Sequence, residues 1–320
     1  MQLAVLNPGG NDPEQHFPDG AGAPDACAHP PVNYHAYAAC TQGGFFDDAR
    51  AIPQEMRAVL LLLRKDLKPS LAAFKALRAQ GKVVAISWKE SGQHQVALQL
   101  NDAASLTAFR EICSLADGAL SSTPELVPLY RAAGAKVAEF IPTPYPVDDP
   151  RWDFSRPLAE RDGIFVGTRE WDVPSRNHAA ALLRACATRA AVTVFNTDGR
   201  GGRKKLEALD CPRLRVIEGR LPYPDYLREM AKCRVVFQLD ASAVPGQVAG
   251  DALLCRMPCI GGNGAVDRAA FAEGDLESLL RDDAAWRATV EASQTRALSS
   301  LGFAACEGRL RSFFDRLVVG

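Results

Sequence analysis

The chain of 320 residues contains no apolar run near the roughly 20 residues that a membrane-spanning helix needs. No basic segment precedes its first apolar residues, so no secretory leader is expected. Net charge is almost absent: 37 Lys and Arg against 38 Asp and Glu leave −1. No overall basic field draws in nucleic acid or an anionic membrane, although a peripheral membrane contact stays open. The nine cysteines form no CxxC pair, and Cys255 and Cys259 have no histidine close by, so no metal cluster is expected. They read as free, largely buried thiols of a cytoplasmic protein. The glycines of GRGGRKK at 199–205 do not follow a strand as GxGxxG, which excludes a dinucleotide fingerprint; those charges read as a solvated helix start.

A composition of 47% hydrophobic and 23% charged residues is that of a soluble globular protein. The length suits two domains of ordinary size, each burying its own core.

The most informative stretch is 234–262, RVVFQLDASAVPGQVAGDALLCRMPCIGG. Val235, Val236 and Phe237 make a short buried strand. A loop with Pro245 and Gly246 leads to a helix over 247–257, with Val248, Ala252 and Leu253 at helical spacing. Pro258 stops it, and Cys259 and Ile260 begin another strand. This is a βαβ unit. The amides at its helix start, Gly246, Gln247 and Val248, favour an anion such as phosphate. Asp251, about one turn in, could accept hydrogen bonds from sugar hydroxyls.

Strands over 2–6, 58–63 and 82–87 and a helix over 69–80 alternate in the first half, which argues for a parallel sheet. Gly9 and Gly10 follow the first strand. Residues 11–33 lack periodicity and form a long loop, and 33–37 open a helix expected to face a ligand cleft. Trp88, Glu90 and His94 lie past the carboxyl end of a strand, where open α/β sheets bind ligands. In the second half, Gly167 and Arg169 follow a strand over 164–166. Asn196 ends a strand over 191–195. Arg220 and Leu221 follow one over 214–217. Helices are expected over 283–299 and 303–318.

The 234–262 stretch resembles the donor-binding segment of GT-B glycosyltransferases, in the large retaining family of bacterial glycan-building enzymes. That family carries a Glu-x7-Glu element. Counting back from Pro258 puts Asp251 on the second acid and Ala243 on the first, which is therefore missing. The run 116–154 is similar to the unit that closes the family's N-terminal domain and crosses to the second.

The resemblance implies an α/β fold of two Rossmann-like domains facing across a cleft. Residues 1–145 would form the acceptor side and 146–300 the donor-binding domain, with a helix over 301–320 packing back on the first. It implies a nucleotide-sugar donor as co-substrate, no other cofactor, no metal, and a glycan or small-molecule acceptor. Arg169 and Arg176 would hold the donor diphosphate, since a guanidinium grips phosphate oxygens in pairs. Gly167 would stand at the entrance to the donor domain and Asn196 on the donor side. Arg220 and Leu221 would meet the base, and Asp251 the ribose. Gly9 and Gly10 would lie near the acceptor and phosphates, and Glu90 and His94 would be the catalytic-side candidates. The activity implied is sugar transfer with retention. The alternatives are a non-catalytic nucleotide or nucleotide-sugar binding protein, and a sugar-nucleotide epimerase or hydrolase.

Overall fold

A computed structural model describes residues 1–319. The chain forms two compact units, Met1–Pro146 together with the segment from Leu301 onward, and Val147–Ser300. No described helix is long and apolar enough to cross a membrane.

The first unit is built on a seven-stranded sheet. Its elements are β1 (Leu3–Leu6), β2 (Gln15–His16), α1 (Asn33–Cys40), β3 (Gly44–Phe46), β4 (Ala58–Leu63), α2 (Leu67–Ala79), β5 (Val83–Trp88), α3 (Gln93–Gln99), α4 (Ala103–Leu115), β6 (Gly118–Ser121), α5 (Val127–Ala132) and β7 (Ala138–Phe140). The strand order is β2-β3-β1-β4-β5-β6-β7, and every pairing is parallel except β2 with β3.

The sequence AVLLLL of β4 is buried throughout, as a strand covered on both faces must be. Alternate residues serve opposite cores. Val59, Leu61 and Leu63 pack with Phe74 of α2, Phe109 of α4 and Tyr130 of α5. Leu60 and Leu62 pack with Tyr37 of α1 and with Leu310, Phe313 and Phe314 of the terminal helix Phe303–Val319. That helix therefore completes the first unit, and full burial of Leu310 and Phe313 stabilises it by about 2–3 kcal/mol each. Gly118 permits the contact: a Cβ there would lie 2.8 Å from Leu317 Cδ2.

Two sequence expectations change here. Residues 33–37 do open a helix, but its tyrosines brace the sheet. Tyr37 donates to the Ile141 carbonyl at 2.6 Å, and Tyr34 donates to the Trp88 carbonyl at 2.5 Å. Trp88 is fully buried against Phe109 and belongs to the core, not to a site.

The second unit holds β8 (Ile164–Val166), α6 (His178–Ala187), β9 (Val192–Asn196), α7 (Gly199–Glu207), β10 (Leu214–Glu218), α8 (Tyr223–Met230), β11 (Val235–Phe237), α9 (Gln247–Leu254), β12 (Cys259–Ile260), α10 (Ala265–Ala270), α11 (Leu276–Arg281) and α12 (Asp283–Ser300). Its all-parallel order is β10-β9-β8-β11-β12. Ile164, Val192 and Val235 meet Leu182 of α6 and Leu279 of α11 on one face. Phe165 meets Tyr226 of α8 on the other.

The cysteine expectation is corrected. Cys186 in α6 is disulfide-bonded to Cys211, just before β10. Two residues 25 apart in sequence gave no local sign of pairing, and their bond removes the free-thiol argument for a reducing compartment. The other seven cysteines are not disulfide-bonded, and six of them are buried.

Candidate functional site

Each sheet has one place where the chain reverses its direction of growth. From β8 the chain adds β9 and β10 on one side, and later β11 and β12 on the other. From β1 it adds β3 on one side and β4 on the other. The crevices beyond the carboxyl ends of β8 and β11, and of β1 and β4, are the switch points at which open α/β sheets take ligands.

At the second unit's switch point, Gly167 follows β8. A Cβ there would lie 3.1 Å from Val248 Cγ2, so the turn packs on the first turn of α9. Gly246 caps α9 at φ +92, a conformation that favours glycine. Gly167, Gly246, Gln247 and Val248 thus come together. Arg176 comes to the same edge: its Nη1 donates to Asp240 Oδ2 at 2.5 Å, and its Nε donates to Glu170 Oε2 at 3.1 Å, with Nη2 bonding the same oxygen. Burial opposes the Arg176 charge, but Asp240 and Glu170 more than offset it and raise its pKa. Asp240 also accepts from the Ser242 amide at 2.7 Å. The candidate diphosphate ligand is therefore already held by two carboxylates. Arg169 is exposed on the same loop, and its carbonyl lies 2.6 Å from His178 Nε2. Asp267 of α10 lies against Gly246, Gly262 and Gly264, and burial pushes its pKa up to about 6. Glu170, Asp240 and Asp267 were not singled out in the sequence, where nothing ties them to Arg176 or to one another.

Asp251 is on α9 but is only 1% exposed. Burial pushes its pKa up to about 7, with the Tyr223 and Tyr226 hydroxyls pulling the other way. The Tyr223 hydroxyl donates to Asp251 Oδ1. The expected ribose acceptor is thus a buried carboxylate bonded to a tyrosine of α8, and a direct bond to a ribose requires the packing around it to open.

Asn196 is also buried. Its Nδ2 donates to the Gly199 carbonyl at 2.9 Å and to Glu218 Oε2 at 2.8 Å, which ties β9 to α7 and β10. Arg220 is exposed and Leu221 half-buried beyond β10, two strands from β8. The structure does not bring these two to the switch point.

In the first unit, Gly9 (φ +71) and Gly10 follow β1 at the switch point. Glu90 is exposed beyond β5, and His94 is half-buried as the second residue of α3. A polar group absent from the sequence reading gathers here. Asn7, after β1, donates through Nδ2 to Asp12 Oδ2 at 3.0 Å. Lys89, after β5, pairs with the same Asp12 oxygen at 2.9 Å. Burial opposes the Asp12 charge, but Lys89 holds its pKa below the usual carboxylate range. Arg64, after β4, donates from Nη1 to Asn7 Oδ1 at 3.4 Å. Above them His35 is stacked between His29, with centroids 3.8 Å apart, and Phe45, at 3.7 Å. Burial pushes His35 down to about 3, with His29 adding to the effect, and burial lowers His29 as well. Both rings are neutral at pH 7. The one local sign was position: Asn7, Arg64 and Lys89 each stand just past a strand. Among the described residues, no group of three or more His, Cys, Asp or Glu could hold a metal ion.

No protein-family model matches the sequence, and no curated protein matches it. Solved structures do match the fold. Sucrose-phosphate synthase from Thermosynechococcus elongatus has a TM-score of 0.62 at 16% identity, with 100% of both chains covered. A trehalose 6-phosphate synthase from Burkholderia multivorans has a TM-score of 0.58 at 12% identity, covering 89% of this chain and 76% of that one. HepE from Anabaena, solved with UDP and glucose, has a TM-score of 0.57 at 12% identity, covering 82% and 78%. Two parallel α/β sheets, a terminal helix returned to the first of them, and these likenesses give the chain the GT-B fold.

Proposed function

We propose that the chain is a glycosyltransferase that moves a sugar from a nucleotide-sugar donor to a glycan or small-molecule acceptor, with retention at the anomeric carbon. The observation that carries this reading is the second unit's switch point. There the β8 loop, with Arg169 and Arg176, converges with the start of α9, whose first residues Gln247 and Val248 pack beside Gly167. Cations and helix-start amides stabilise the charge that develops on a departing nucleoside diphosphate. Arg169 is exposed and ready for this. Arg176 would exchange a carboxylate for a phosphate oxygen. Residues 1–145 would hold the acceptor, placed with the help of Glu90 and His94. The proposed reaction takes the nucleotide-sugar as its co-substrate.

A second reading, a nucleotide or nucleotide-sugar binding protein without turnover, is favoured by two observations. Ala243 stands where the resembled family has its first acid. Asp251 is sequestered by Tyr223.

Donor turnover measured with and without acceptor extracts separates the readings. Acceptor-dependent turnover supports transfer, and binding alone supports the second reading. Acceptor-independent turnover or an epimerised product points to a hydrolase or epimerase. Arg169→Ala should weaken nucleoside-diphosphate binding by about 1.5–3 kcal/mol, the usual worth of a charged hydrogen bond. Unchanged affinity removes Arg169 from the donor site.

A further inference from the structure

The switch point of the first unit contains a charge imbalance. Arg64 is half-buried and has no carboxylate partner among the described residues. Its guanidinium carries five donors, and the bond it makes is a long one, 3.4 Å to a neutral amide oxygen. A cation drawn partly out of water without a counter-ion is disfavoured unless an anion completes it. Lys89 adds a second positive charge, and Asp12 offsets one of the two. His29 and His35 contribute none at pH 7. Glu90 and Lys65, next to these groups in sequence, are both exposed and cancel one another. The balance of the half-buried groups Arg64, Lys89 and Asp12 is one positive charge.

The groups are also positioned rather than scattered. Asn7 is 1% exposed and bridges the cluster, with Oδ1 toward Arg64 and Nδ2 toward Asp12. Asp12 belongs to the 11–33 segment, which is pinned by the His29–His35–Phe45 stack. The Gly10 amide folds back on the Asn7 carbonyl at 3.1 Å, which shapes the turn that follows β1.

We propose that this crevice binds an anionic group, phosphate or carboxylate, on the sugar that accepts the transfer, with Arg64 as its principal ligand and Lys89 as the second. The inference rests on the transferase reading for the word acceptor, but the anion site itself does not. Asp12 acts as a resident competitor for Lys89, so removing its charge strengthens the site.

The test is calorimetry on the full chain with glucose 6-phosphate, glucuronate, glucose and UDP. Wild-type protein should bind at least one of the two charged sugars more tightly than glucose, and the preferred one tells phosphate from carboxylate. Arg64→Gln should lower that affinity about tenfold or more and leave UDP unchanged. Asp12→Asn should raise it several-fold, an outcome that a folding defect cannot mimic. Three results overturn the proposal. Neither charged sugar binds better than glucose, Arg64→Gln leaves its affinity unchanged, or the Arg64→Gln loss falls on UDP, which would make the crevice a donor-phosphate site. UDP binding and turnover without selective binding of a charged sugar sink this inference and spare the transferase reading. Charged-sugar binding with no turnover of any nucleotide-sugar does the reverse.

Discussion

Each of the two sheets places an arginine at its switch point, and they treat it differently. Beyond β8 and β11, Arg176 is held by Glu170 and Asp240. Beyond β1 and β4, Arg64 has no carboxylate partner among the described residues and donates to the side-chain oxygen of Asn7. Strand order brings each to a switch point, where ligands bind. Which of them is a structural brace and which is an open cation is decided by the residue across the crevice, an aspartate in one case and an asparagine in the other. A shared architecture thus fixes where a charge sits without fixing what it can do.

The largest effect expected is on Arg176. Arg176→Met leaves Asp240 and Glu170 without their cation, and stability should fall by about 3 kcal/mol, the lower end for removing one partner of a buried pair, because Arg176 and Glu170 are half-buried. A denaturant titration showing a loss below about 1 kcal/mol would make Arg176 as unbraced as Arg64 and erase the contrast.

Next comes the disulfide, which belongs to the second unit alone. Reduction of Cys186–Cys211 should cost about 3 kcal/mol through the loop it closes. Hydrogen exchange before and after reduction should show α6 and β10 loosening while β1, β4 and β5 keep their protection. Equal loosening in both units would mean that they do not unfold independently.

The units should also respond to pH with opposite signs. His35 has a folded pKa below its ordinary value of 6.5, so its contribution is complete above pH 6.5 and is lost as pH falls toward 3. At pH 4.5 that loss is roughly 2–3 kcal/mol. His35→Phe, which can keep the stack between His29 and Phe45, should remove most of it. Asp251 has a folded pKa raised from 3.8 to about 7, so its contribution is complete below 3.8 and is lost as pH rises through 7. Asp251→Asn should flatten the stability profile of the second unit between pH 4 and 8. Exchange protection followed unit by unit across this range checks both signs, and parallel curves would contradict them.

The smallest effect is at Arg64. Arg64→Gln should change stability by less than about 0.5 kcal/mol, because the bond lost is a long one to a neutral amide oxygen and no charge is left unpaired. A melting-temperature loss as large as that of Arg176→Met would show that Arg64 braces the fold after all.

Much of the fold was legible because its signals are local. The unbroken run AVLLLL reads as a strand buried on both faces, and Val235 to Phe237 followed by Gly246 and Pro258 spells strand, loop, helix and stop within one window. β2, β3, α3, α6, α10 and α11 went unread, since short or alanine-rich segments carry little periodicity of their own. For the candidate site, the sequence named Gly167, Gly246 and Val248 one by one, and the sheet brings them together.

By itself, then, the sequence determined that this protein is built from alternating strands and helices in two sheets, because burial on both faces leaves a mark at every residue. Only the tertiary structure decided the charges. Arg176 meets Asp240 across 64 residues, Arg64 meets Asn7 across 57, and Tyr223 reaches Asp251 across 28. A lone arginine or aspartate carries no trace of its partner, because an ion pair or hydrogen bond depends on a separation of about 3 Å in space, and distance along the chain says nothing about that until the strands are in order.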